Sequence, residues 1–273
     1  MRRVAAIALV CALACTPALR TPRPIGTSGP PAATGARNAP ELLAEARARF
    51  ARRPDLDEVR QAEALFLAAV GADPKDVAAL YGAIQAKIWR IDHDRSVDRG
   101  ALASSAVDAG QWCLRSAPAS AWCDYGLALA LGVQARERRA TAVDGLKRMV
   151  EHLRRAAAED PGVDDAGPDR VLALVLARAP GWPVGPGDPE AAVEAARRAE
   201  QRVPEHPPNP IALAEALLAT GAVAEARAAA ERGLALARGS VGDPDAPEWV
   251  RDGEALLSRA REARPTDGVG FSP

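Results

Sequence analysis

Residues 106–129 read AVDAGQWCLRSAPASAWCDYGLAL, and this stretch decides the fold. Its first half places Ala106, Gly110 and Cys113 at spacings of four and three residues, which puts all three on one stripe of an α-helix. Pro118 cannot continue that helix, and a second apolar pattern begins at Trp122. The stretch therefore predicts two helices joined by a short turn.

The same pattern recurs along the chain. Four prolines end equivalent segments at separations of 44, 43 and 43 residues, and they are Pro74, Pro118, Pro161 and Pro204. Small or apolar residues stand twelve, eight and five positions before each proline. Outside the quoted stretch they are Ala62, Phe66 and Ala69, then Met149, Leu153 and Ala156, then Ala192, Ala196 and Ala199. Each stripe is expected to bury against a neighbouring helix.

The repeated unit resembles the tetratricopeptide repeat over residues 41–239, because its stripe and proline follow the pattern of that family's second helix. Trp122, Tyr125, Gly126 and Leu129 follow the pattern of its first helix. The resemblance implies an all-α fold, a right-handed superhelical solenoid of stacked antiparallel helix hairpins. The family's unit has about 34 residues, so each unit here is longer by about nine or ten. A last amphipathic helix over residues 247–263 is expected to cap the stack.

The N-terminal segment predicts export. Two arginines precede an apolar run that is too short to span a bilayer, and Ala12-Leu13-Ala14-Cys15 follows it. This resembles the lipobox of bacterial lipoproteins, which implies cleavage before Cys15, a lipid on its thiol, and a location in the cell envelope facing the periplasm. The alternative is an ordinary signal peptide that is cut between Ala14 and Ala18.

The chain accordingly divides into four parts. The sequence predicts a signal peptide over residues 1–14, a lipidated cysteine with a Pro- and Gly-rich flexible linker over 15–39, the helical repeat domain over 40–263, and a disordered tail over 264–273. The formal net charge of the whole chain is −1, so no basic face dominates and we expect no nucleic-acid partner.

The first helices of the units are the candidate binding surface. We expect them to form the concave face of the solenoid, where a protein, a peptide or a small ligand binds. The residues expected to line or underlie this face are Tyr125, Leu129, Leu172, Leu176, Leu213 and Leu217. Trp182 lies in the irregular loop APGWPVGPGD, residues 179–188, which is longer than a helix hairpin needs. Because an indole offers apolar area and a hydrogen-bond donor together, Trp182 is a further candidate contact with a ligand or partner.

This loop and the preceding run from Asp160-Pro161 to the helix 170–176 also resemble the periplasmic lipoproteins that serve as the T component of TRAP transporters. That resemblance implies a helical body with a groove or pore for an apolar or acidic small ligand, self-association, and a substrate-binding protein as partner. The same loop is also compatible with a repeat lipoprotein that has no transport role.

Catalytic chemistry is not expected. The chain has three histidines in different units, and its acidic loop at 160–169 lacks the spacing of a calcium loop, so we predict no metal, no cofactor and no enzyme activity. His152 is predicted to lie on the surface, and Asn209 to cap the helix that begins at Pro210. Cys113 and Cys123 flank one turn and form either a disulfide or two small buried thiols.

Overall fold

A computed structural model of the chain describes residues 38–138 and 142–263. The predicted signal peptide, Cys15, nearly all of the predicted linker and the predicted tail from residue 264 lie outside the described residues. Within the described ranges no helix is long and apolar enough to cross a membrane.

The described residues form an all-α array of eleven helices that stack in sequential pairs, as the sequence predicts. The helices are α1 (Ala39–Phe50), α2 (Leu56–Ala72), α3 (Val77–His93), α4 (Arg99–Ser116), α5 (Ala121–Glu137), α6 (Ala142–Glu159), α7 (Val163–Arg178), α8 (Pro189–Arg202), α9 (Pro208–Ala219), α10 (Val223–Gly239) and α11 (Ala246–Glu262).

Local sequence accounts for where many of these helices begin. An oxygen-bearing side chain directly before the helix accepts a hydrogen bond from a backbone N–H of the first turn, which satisfies one of the free donors there. The residues that cap in this way are Asn38, Asp55, Asp76, Asp98, Ser120 and Asp188. At the turn between α9 and α10, Gly221 adopts a φ of 79°, a conformation that glycine takes without strain.

The predicted stripes form the contacts within the array. Every stripe residue of α2, α4, α6 and α8 is buried, including Phe66 and Leu153, and the equivalent small residues of α10 are buried too. Many of them are alanine or glycine, so neighbouring helices approach closely. At Gly110 an added Cβ would lie 2.8 Å from the Cα of Leu127 in α5. The close approach of small residues therefore sets the spacing of the hairpins.

The array has an inner and an outer layer. Each odd-numbered helix contacts the next odd-numbered helix as well as its sequence neighbours. Among the described helices, the backbones of the even-numbered ones pack only against the odd-numbered helices beside them in sequence, and exposed ion pairs such as Arg232–Glu200 join the even-numbered helices α8 and α10. The odd-numbered helices, which are the first helices of the units, therefore form the inner wall.

Two sequence-based predictions about polar residues are wrong. His152 is buried, and its Nδ1 lies 2.7 Å from the Oδ1 of Asp124 on the neighbouring helix. Asn209 does not cap a helix, since α9 begins at Pro208, two residues before the predicted start at Pro210, and includes Asn209. The Asn209 side chain is instead fully buried within the first turn of α9.

The Sγ atoms of Cys113 and Cys123 lie 2.02 Å apart and form a disulfide bond. The bond joins the last turn of α4 to the first turn of α5, and its Cα atoms are 5.2 Å apart. It ties the outer helix of one unit to the inner helix of the next.

Candidate functional site

The inner wall lines an open central cavity of about 910 Å³. All of its helical lining residues lie on odd-numbered helices, as expected for a concave face built from the first helices of the units. Apolar side chains form one part of the lining: Ile88, Trp89, Leu129, Leu174, Ile211 and Trp249.

Charged residues form much of the remaining lining, and arginines and carboxylates are equally numerous among them. Several are already paired across neighbouring inner helices. Arg178 Nε donates to Glu215 Oε1 at 2.8 Å, and Arg136 Nη2 donates to Asp92 Oδ1 at 2.5 Å. The charged lining residues therefore carry no net excess of either sign.

One end of the cavity is built on a strained turn. Asp164, Asp165 and Ala166 all adopt left-handed backbone conformations, with φ values of 50°, 52° and 66°. For residues other than glycine this conformation costs of order 1 kcal/mol each and requires support from surrounding structure. The side chain of Arg170 supplies part of that support, because its guanidinium donates to the carbonyl oxygens of Asp164 and Asp165 at 3.0 and 2.8 Å.

The turn presents the carboxylate of Asp164 to the cavity. Its Oδ2 accepts hydrogen bonds from the Tyr125 hydroxyl at 2.7 Å and from Arg170 Nη2 at 2.9 Å. Burial raises the pKa of the Tyr125 hydroxyl well above its usual value, and the negative charge of Asp164 adds to the effect, so Tyr125 stays a neutral donor.

Asn209 holds the same turn from the next unit. Its Oδ1 accepts from Arg170 Nη1 at 3.0 Å, and its Nδ2 donates to the carbonyls of Asp165 and Val203 at 3.1 and 2.8 Å. Sequence reasoning missed this role, because the three partners are distant in sequence or belong to the backbone.

His206 lines the cavity beside this turn and packs edge-on against Trp249 at a centroid distance of 5.6 Å. Burial lowers the pKa of His206 below its usual value, and the nearby Arg170 lowers it further. Asp165, Asp164 and Asp243 oppose this shift.

The predicted site residues fall into three groups. Leu129 lines the cavity, and Tyr125 lies beneath it with its hydroxyl on Asp164. Leu172, Leu176, Leu213 and Leu217 are buried in the core that supports the inner wall, and they do not line the cavity.

Trp182 lies apart from the cavity, with 89% of its surface exposed. Its loop is held by backbone hydrogen bonds, from Gly187 N to Pro180 O at 2.8 Å and from Asp188 N to Leu176 O at 3.0 Å. A contact of Trp182 with a partner stays a prediction, and such a contact would lie outside the central cavity.

Across the described part of the chain, no group of three or more His, Cys, Asp or Glu side chains is arranged to hold a metal ion. Asp124 and His152 form a buried pair, and Arg155 donates to the same carboxylate at 2.8 Å. This cluster joins α5 to α6 and does not border the central cavity.

The helix pairs, the inner wall and the cavity define a tetratricopeptide-type scaffold. Residues 184–245 match the family model of the tetratricopeptide repeat. Proteins built from this repeat are usually non-enzymatic and mediate protein–protein interactions.

The fold is similar to a solved structure, that of the thermophilic TPR protein TTC0263 from Thermus thermophilus. The TM-score is 0.60 and the sequence identity 22%, and the similarity covers 80% of this chain and 99% of that one. The likeness shows that this chain has a TPR-like array. No curated protein shows significant sequence similarity to it.

Proposed function

We propose that this chain is a non-enzymatic lipoprotein of the bacterial cell envelope whose TPR-like body binds a ligand in its central cavity. The observation that carries the proposal is the cavity of about 910 Å³ lined by the first helices of the units. Surfaces of this kind in repeat proteins serve binding, and concave, partly apolar cavities of this size hold small molecules or side chains of a partner.

The balanced charges of the lining favour an occupant that is largely apolar, with a few polar groups. The Asp164 carboxylate and the arginines offer such an occupant hydrogen bonds at fixed positions, while Ile88, Leu129 and Leu174 offer apolar contact. A protein partner would insert one segment into this space, and a small ligand would occupy it alone.

A substitution that fills the cavity tests the binding site. We expect Leu129→Trp or Leu174→Trp to abolish binding, because both side chains line the cavity and are only partly buried. Leu236→Trp is the matched control, since Leu236 is partly buried on the outer helix α10. The measurement is native mass spectrometry of the chain beginning at residue 21, purified under mild conditions. A co-purified species that persists in both cavity variants would refute the assignment of the cavity.

Lipidation of Cys15 is tested separately. Cells grown with labelled palmitate should transfer the label to the full chain and not to a Cys15→Ala variant. An unlabelled wild-type chain would remove the lipoprotein part of the proposal and leave the binding site untouched.

A second candidate is the T component of a TRAP-type transporter, which binds an apolar or acidic small ligand. The size of the cavity favours it, because a space of about 910 Å³ is typical of a small-molecule site. A closed oligomer that carries one small molecule per chain in the native mass spectrum supports this candidate. A bare monomer that captures a protein in the native envelope supports the scaffold instead.

A further inference from the structure

The two ends of the helix array meet. Arg53 lies in the turn between α1 and α2, and Asp245 lies directly before α11, 192 residues later in the chain. Arg53 Nε donates to Asp245 Oδ1 at 3.1 Å, and Arg53 Nη2 donates to Oδ2 at 2.7 Å. Two parallel hydrogen bonds between a guanidinium and a carboxylate form one of the stronger and more directional ion pairs in proteins.

The position of Arg53 is fixed by its own hairpin. Its Nη1 donates to the carbonyl oxygen of Phe50 at 2.8 Å, and the guanidinium stacks over the Phe50 ring at 4.2 Å from the centroid. The Arg53 side chain is only 15% exposed, against 36% for Asp245. The Arg53 side chain is thus fixed in position at the N-terminal end of the array, and the Asp245 carboxylate at the other end is the more exposed partner.

This contact is not part of the stacking of the repeats. In a solenoid each repeat contacts only its neighbours. Among the described helices, the backbones of α1, α2 and α3 do not approach those of α10 or α11. Closure therefore depends on the two connecting segments, 51–55 and 240–245, with the ion pair between them.

The ion pair also lies between two cavities. Arg53 and Asp245 line both the central cavity and a second cavity of about 770 Å³. Phe50, Tyr81 and Asp164 line both as well, so the two cavities adjoin at the ion pair. Separation of the two ends would open the central cavity sideways at this point.

We propose that the pair Arg53–Asp245 is a clasp that closes the array around its central cavity and opens to admit or release the occupant. With the clasp closed, the gap between the two ends of the array is shut. With the clasp open, a longer or bulkier occupant enters from the side and is retained when the pair forms again. The proposal goes beyond the proposed function, because it concerns the opening of the array and holds for either kind of occupant.

Charge reversal tests the clasp in the full chain. Arg53→Asp and Asp245→Arg each replace attraction by repulsion, and the double variant Arg53→Asp/Asp245→Arg restores opposite charges. Asp245 makes no side-chain cap on α11, so its replacement removes no capping hydrogen bond. The control is Arg232→Asp, which breaks an exposed ion pair of 2.6 Å with Glu200 between neighbouring outer helices.

The measurement is hydrogen exchange by mass spectrometry, with small-angle X-ray scattering on the same samples. The single reversals should raise the open population about tenfold or more, seen as faster exchange in residues 50–55 and 240–249 and as a larger maximum dimension. The double reversal should bring both readings back toward the wild type, and the control should change neither. Unchanged circular dichroism in every variant separates opening from unfolding.

Salt gives an independent reading. Raising the ionic strength from about 0.1 M to 1 M shortens the screening length from about 10 Å to 3 Å and weakens a partly exposed ion pair. It should open the wild-type chain and have little effect on Arg53→Ala, which has no pair to weaken.

Single reversals that leave exchange and dimensions unchanged would overturn the clasp. So would a double reversal that is as open as the single ones. Neither result depends on an occupant, so a failure of the clasp is distinct from a failure of the proposed binding site in the native mass spectrum.

Discussion

Replacement of Gly110 by alanine should destabilise the protein, although alanine is the better helix former. Gly110 lies in α4, where an added Cβ would meet the Cα of Leu127 at 2.8 Å and its Cβ at 2.9 Å. The first of these atoms is backbone, so a change of side-chain rotamer cannot relieve the contact. Helices α4 and α5 would have to move apart by several tenths of an ångström.

The magnitude follows from two opposed effects. Overpacking of a close-packed contact costs about 1 to 3 kcal/mol, and the gain in helix propensity from glycine to alanine is about 1 kcal/mol. Because the contact is with backbone, its cost falls in the upper part of that range. We expect a net loss of about 1 to 2 kcal/mol, and a domain of this size loses about 2 to 4 °C in melting temperature for each kcal/mol.

Gly100 provides the matched control in the same helix. Its added Cβ would meet nothing nearer than the Asp98 Oδ1 at 3.6 Å, so Gly100→Ala should be neutral or stabilising by up to about 1 kcal/mol. Urea and thermal unfolding of both variants by circular dichroism measures the difference. If Gly110→Ala unfolds at or above the midpoint of Gly100→Ala, the close approach of α4 and α5 is not what limits this position.

Three further predictions concern the disulfide, the cavity turn and pH. Replacement of Cys113 and Cys123 by serine should lower the free energy of unfolding by about 2 to 3 kcal/mol, because the disulfide closes a loop with a sequence separation of 10. Thermal unfolding of the wild type and the variant, with and without a reductant, measures this loss. Tyr125→Phe removes one of the hydrogen bonds to the Asp164 carboxylate and should lower the free energy of unfolding, measured in urea, by about 1 to 2 kcal/mol. An unchanged urea midpoint would show that Arg170 alone satisfies that carboxylate. The pKa of His206 is lower in the folded than in the unfolded chain, so the unfolded state binds more protons and stability should fall as the pH drops below about 6.5. Unfolding between about pH 7.5 and pH 5.5 should show this loss in the wild type and less of it in His206→Gln.

The sequence predicts the helix pairs well because their determinants are local. Phe66 and Leu153 are buried as their spacing requires, and Asp188 caps α8 from the position expected for a residue before a proline. A stripe of small residues and the proline that follows it act within one or two turns of the same helix. The pattern can therefore be recognised without knowledge of the neighbouring helices.

The predictions about individual polar residues fail where the partner is distant in sequence. The carboxylate of Asp124 lies 28 residues from His152, and nothing near His152 in sequence indicates that it is buried. Asparagine before a proline is typical of a helix N-cap, but the side chain of Asn209 instead accepts a hydrogen bond from Arg170, 39 residues earlier. The closure of the array is harder still to predict, because Arg53 and Asp245 meet through the summed rotations of all the hairpins between them.

That closure makes the number of hairpins a constrained quantity. An open solenoid tolerates gain or loss of a unit, since the array only lengthens or shortens. Here one hairpin more or fewer would displace Asp245 by about the width of a helix pair, and each helix spans about 8 to 10 Å of packing distance. An ion pair tolerates no such shift, so Arg53 would lose its partner. Relatives that keep the pair should therefore keep the repeat number and vary in the lengths of their loops, whereas relatives that gain or lose a hairpin should have lost both charges.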